Sequence, residues 1–102
     1  MFIVSVTYKR PLEEVDKHLD DHVAYLKNEY RKRNFIASGR KVPRTGGIIL
    51  SCVGTKGELE AILAQDPFHR AGIADYEITE FTPSMTAEGF ENLKEKESSK
   101  ST

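Results

Sequence analysis

The order of apolar segments predicts an α+β fold of the ferredoxin-like type, βαββαβ. Four antiparallel strands would form one sheet with two helices on one face. Three observations carry this. Two segments have apolar residues at helical spacing, Pro11 to Arg33 and Lys56 to about Gln65. Four β-branched or aromatic runs flank them. A glycine- and proline-bearing loop joins the two middle runs, as a hairpin requires.

The first strand covers Phe2 to Tyr8. Alternation puts Phe2, Val4, Val6 and Tyr8 on one face and Ile3, Ser5 and Thr7 on the other. Pro11 suits the first turn of the helix that follows. Its apolar stripe is Leu12, Val15, Leu19, Val23, Leu26 and Tyr30. At roughly 100° per residue, His22 lies about 55° from the stripe centre and His18 about 95°. His22 is thus expected at the shoulder of the buried face and His18 near the solvent boundary.

Asn34 ends the helix, and a second strand spans Phe35 to Arg40. The loop 41–47 leads to an apolar third strand, Ile48 to Val53. That placement makes Cys52 a small buried core residue. Thr55 and Glu58 have capping-box spacing ahead of a helix that buries Leu59, Ile62 and Leu63. Pro67 disfavours helical geometry at Asp66, so Asp66 is expected to cap a short separate turn with Pro67 in its first position. Ala74 to Phe81 is the last strand. Residues 1–83 therefore form a single domain. The polar tail 84–102 is expected to be a frayed helix followed by disorder.

Composition narrows the function. The chain has 102 residues and a formal net charge of −1, which argues against bulk attraction to nucleic acid or to an anionic membrane. The third strand carries no aromatic residue on which a base would stack. No apolar run reaches transmembrane length, and the N-terminus reads as a strand and not as a signal peptide. A lone cysteine fits a reducing, cytoplasmic setting. The first and third strands are apolar on both faces, yet both helices cover the same side. A homodimer through the open sheet face is the economical cover.

The topology gathers polar groups at the end where the first strand finishes. His18 and His22 sit in the first half of their helix. Asp66 follows the second helix. Ser38, Arg40 and Arg44 approach from the hairpin, and Tyr8, Lys9 and Arg10 from the first strand. A His22–Asp66 hydrogen bond would fix the imidazole tautomer and leave one nitrogen for proton transfer. The competing reading makes Asp66 only a cap and His22 only a boundary residue. Ser38 lacks a nucleophile motif and suits hydrogen bonding to a ligand. Arg40 and Arg44 suit a carboxylate-bearing one. His18 and His22 at i, i+4 have metal-ligand spacing, but two ligands alone are a weak signal, and no metal is expected.

The opening Met1-Phe-Ile-Val-Ser-Val-Thr-Tyr8, the segment His22-Val-Ala-Tyr-Leu26, the patch Ala37-Ser-Gly39 and the motif Asp66-Pro-Phe-His-Arg-Ala-Gly72 together resemble the YciI-like proteins. The resemblance spans about residues 1 to 83. It implies a ferredoxin-like fold, a dimer, and a catalytic His–Asp pair that falls on His22 and Asp66. One relative is a dehydrochlorinase of aromatic breakdown, and the fold is akin to that of muconolactone isomerases. This implies lyase- or isomerase-like acid–base chemistry without a cofactor. The convergence of His18, Ser38, Arg40 and Arg44 on the same end places them around a small anionic substrate. Many members carry arginine near the position of His18, so substrate preference does not carry over there. The alternative is a non-catalytic small-ligand-binding or protein-interaction domain.

Overall fold

A computed structural model describes residues 1–94. The elements are β1 (Phe2–Tyr8), α1 (Leu12–Asp16), α2 (Leu19–Arg31), β2 (Phe35–Arg40), β3 (Gly46–Ser51), α3 (Lys56–Leu63), α4 (Pro67–Arg70) and β4 (Ala74–Glu80). The strands form one antiparallel sheet in the order β2-β3-β1-β4. The helices cover one face of it, as the ferredoxin-like pattern requires. The core lies between. Phe2, Val4, Val6 and Ile49 from the sheet meet Val15, Leu59, Leu63 and Phe68 from the helices, all essentially buried.

The long first helix expected from the sequence is broken. At Lys17 and His18 the backbone bonds run to residues three back, Lys17 N–H to Glu14 and His18 N–H to Val15. Tightening of this kind ends one helix and restarts another. His18 sits at the break with φ −108° and ψ 2°. The α2 axis therefore does not continue the α1 wheel. Leu12 and Val23, expected in the buried stripe, are exposed. Glu29 is buried instead, its carboxylate accepting from the Asn34 side chain at 2.8 Å.

The third strand is also shifted. It begins at Gly46, not Ile48, and ends at Ser51. Gly46 and Gly47, expected to be turn formers, pair with Thr7 and Val6. A side chain at Gly46 would meet the Val6 carbonyl oxygen at 1.8 Å, so this close strand approach requires glycine. Cys52 lies beyond the strand and is exposed, contrary to its expected place in the core. Ser51 points inward and is fully buried, so alternation turns the next residue outward. The Cys52 thiol donates to the Arg33 carbonyl at 3.1 Å.

The edge strand β2 carries a bulge between Phe35 and Ala37. One extra residue inverts the face of everything after it. Phe35 pairs with Ser51, Ser38 with Ile49 and Arg40 with Gly47. Ser51, Ile49 and Gly47 in turn oppose Phe2, Val4 and Val6 of β1. Ser38 and Arg40 therefore share the helix-facing side with Phe35, although simple alternation from Phe35 would turn them away.

The second helix keeps its cap. The Thr55 hydroxyl accepts from the Glu58 N–H at 3.1 Å. Beyond β4 a short 3-10 turn covers Glu91–Leu93. The remainder of the expected tail, 95–102, lies outside the described residues. Among the described residues no helix is long and apolar enough to cross a membrane.

The glycine constraint is testable. Gly46→Ala should cost at least about 2 kcal/mol, because neither backbone can yield without breaking the β1–β3 ladder. Gly39→Ala, where an added carbon meets nothing within 4 Å, should stay within about 1 kcal/mol. Denaturant midpoints check this; equal losses at the two sites would refute it.

Candidate functional site

Asp66 is the N-cap of α4, with Pro67 in the first helical position. Proline there loses no needed donor, and the preceding residue is held extended. The Asp66 carboxylate is fully buried. Its Oδ1 accepts from the Phe68 N–H at 3.0 Å and from His22 Nδ1 at 2.7 Å. Its Oδ2 accepts from the Tyr76 hydroxyl at 2.5 Å. The alternatives open at the level of sequence are thus not exclusive. Asp66 caps its turn and binds the histidine with the same oxygen.

His22 comes from the first turn of α2 and is mostly buried. Its ring lies on Phe68, with centroids 3.9 Å apart and planes 7° from parallel. An ionised carboxylate can only accept, so Nδ1 carries a hydrogen, and in the neutral ring the lone pair is at Nε2. One hydrogen bond and one stacking contact thus fix both the tautomer and the ring plane.

Burial changes the surrounding hydroxyls. Tyr76 is pushed far above its ordinary pKa, first by burial and then by the negative Asp66 beside it. Tyr25, which donates to the Ile62 carbonyl at 2.8 Å, is raised by burial, then by Asp66 and Glu29. Both remain neutral donors throughout the ordinary pH range.

In front of His22 is a cavity of about 320 Å³, at the small end of ligand sites. Val6, Leu26, Ile49 and Phe68 supply apolar walls. Ser38, Arg40 and Arg44 line it as well. Ser38 is hydrogen-bonded to Tyr30. Arg40 has no carboxylate partner among the described residues. Arg44 is held by Asp16, Nη2 to Oδ1 at 2.6 Å, and this contact raises its pKa. His18 is not brought to the cavity; it stays at the helix break. Among the described residues no group of three or more His, Cys, Asp or Glu side chains is placed to hold a metal.

Of the first-strand residues expected at this end, Tyr8 lines the cavity, while Lys9 and Arg10 do not. Phe68, which stacks on His22, was not singled out from the sequence. Its signal was weak, as the aromatic that follows Asp66-Pro67.

The tyrosine environment predicts an alkaline limit. The unfolded chain releases tyrosine protons near pH 10, whereas folded Tyr25 and Tyr76 retain theirs. Their contribution to stability is fully present below that pH and is lost as pH rises further. In a spectrophotometric titration, two of the four tyrosines should ionise only together with unfolding, and Tyr76→Phe should remove one of them. Ionisation of all four with the circular dichroism spectrum intact would contradict this.

Comparison with known proteins now places the chain. No curated protein matches it significantly. Among solved structures, a 5-chloro-2-hydroxyhydroquinone dehydrochlorinase (TftG) from Burkholderia phenoliruptrix AC1100, in complex with 2,5-dihydroxybenzoquinone, is similar with a TM-score of 0.67. That match is 19% identical and covers 80% of this chain and 94% of that one, so it speaks for the fold. A family model, the YCII-related domain, matches residues 1–82. With most of its length under that match, the chain belongs to the YCII-related domain family.

Proposed function

We propose that the domain 1–83 is a cofactor-free acid–base enzyme that eliminates or isomerises a small anionic molecule, with His22 and Asp66 as its catalytic pair. The observation that carries this reading is the 2.7 Å His22–Asp66 hydrogen bond beside a small, largely apolar cavity. Asp66 orients the ring and stabilises the imidazolium, and Nε2 takes and returns the proton. Arg40, with no carboxylate partner among the described residues, is the anchor for the anionic group. Ser38 and Arg44 complete the polar side, while His18 acts at most from outside. The apolar walls favour a flat ring. The similar dehydrochlorinase, named for a chlorinated hydroxyhydroquinone, makes such rings the first compounds to try. A reducing, cytoplasmic setting suits the single thiol.

Conversion should be sought among chlorinated hydroxyhydroquinones, lactones and keto–enol acids. His22→Ala and Asp66→Asn should each lower kcat by about 10²- to 10⁴-fold. Asparagine keeps an oxygen for the Phe68 N–H, so that variant should remain folded. A substrate turned over equally well by His22→Ala would refute the pair. Binding without any conversion would favour the ligand-binding domain instead.

The assembly is part of the same proposal. Ile3, Ile48 and Leu50 lie together on the sheet face away from the helices, with Glu77 and Asp75 toward one side. An apolar centre with a polar margin suits a second copy of the chain. Light scattering should give twice the chain mass at micromolar concentration, and Ile48→Glu should reduce it to one; a native monomer would rule the dimer out.

A further inference from the structure

Of the chain's four tyrosines, three have committed hydroxyls. Tyr25 donates to the Ile62 carbonyl, Tyr76 to Asp66, and Tyr30 is bonded to Ser38. Tyr8 differs. It lines the cavity, and among the described residues its hydroxyl has no protein acceptor.

Its position is nevertheless fixed. Tyr8 ends β1, and its backbone N–H donates to Thr45 at 2.9 Å. Its ring meets Phe68 edge-on, with centroids 5.8 Å apart and planes at 89°. The Phe68 ring that Tyr8 touches also carries His22 on its face. The Arg44 guanidinium stands 5.9 Å from the Tyr8 ring centre, held by Asp16. Asp16 first and Tyr8 after it hold that guanidinium charged. Arginine only donates, so it does not compete for the Tyr8 hydrogen, which stays free for the cavity. A cation beside the phenol strengthens the bond that its hydrogen makes to a negative oxygen.

We propose that Tyr8 is a third catalytic residue, donating to the oxygen that turns negative when His22 takes a proton from the substrate. This rests on the acid–base reading and names its substrate class, an enolisable ring carbonyl or its phenolic tautomer. The C–H bond breaks and its electron pair forms the ring C=C bond. The carbonyl π pair moves to oxygen, and the proton goes to His22 Nε2. Nothing is oxidised or reduced. Tyr8 holds the resulting enolate oxygen, with Arg44 behind it as a positioning residue.

Para-nitrophenol tests this without turnover, because its phenolate resembles the enolate and its absorbance reports ionisation. The native protein should bind the phenolate in preference to the phenol. Tyr8→Phe keeps the ring packing and should weaken phenolate binding by about ten- to a hundredfold, the worth of one hydrogen bond to a charged group. Para-nitroanisole, which cannot ionise, should bind both proteins alike. The same loss should appear when Tyr8→Phe is made in a His22→Ala background. No phenolate binding by the native protein, unchanged binding by Tyr8→Phe, an equal loss for the anisole, or a loss that vanishes with His22 would each overturn the proposal. Since the probe does not react, these outcomes are independent of whether turnover is ever found.

Discussion

The buried carboxylate of Asp66 is the group on which the site's geometry depends. A charge without water needs several donors around it. Asp66 finds a backbone N–H, a histidine and a tyrosine, from α4, α2 and β4. Those bonds tie two helices and an edge strand to one point, and His22 is held as a consequence. Deleting the carboxylate would leave three donors facing an apolar interior, which is why structure and chemistry are hard to separate here.

Phe68 plays the complementary apolar part. Its backbone N–H completes the Asp66 cap, its face supports His22, and its edge meets Tyr8. The position two after Asp66 therefore couples the helix cap to the cavity floor. Asp16 in α1 restrains Arg44 in the hairpin. Arg40 alone of the two cavity cations is left without a carboxylate. The two arginines looked equivalent by residue type. Their partners divide them into a fixed support and a free anchor.

Local rules read most elements correctly because each rests on short-range physics. The period-2 pattern of Phe2 to Tyr8, the Thr55 cap and the Asp66-Pro67 turn need no knowledge of the rest of the chain. The misses have separate physical causes. Glycines 46 and 47 carry turn chemistry, yet β1 draws them into the sheet. Ser51 turns inward, so Cys52 faces outward. The wheel that placed Val23 in the buried stripe assumed an unbroken helix, and the tightened turn at Lys17 and His18 invalidates it.

Residue order and spacing by themselves determined the ferredoxin-like topology and brought His22 and Asp66 to the same end of the sheet. Strand connectivity leaves few arrangements, and both residues sit at element ends brought to the same side. Which hairpin side chains enter the cavity was decided by the tertiary structure. A single bulge after Phe35 inverts the strand's faces and turns Ser38 and Arg40 inward. Bulges arise from pairing with a neighbouring strand and leave no periodic trace in their own. The free hydroxyl of Tyr8 is likewise a product of what surrounds it. It depends on which donors and acceptors the other elements bring near, and that is settled only when the sheet and helices pack.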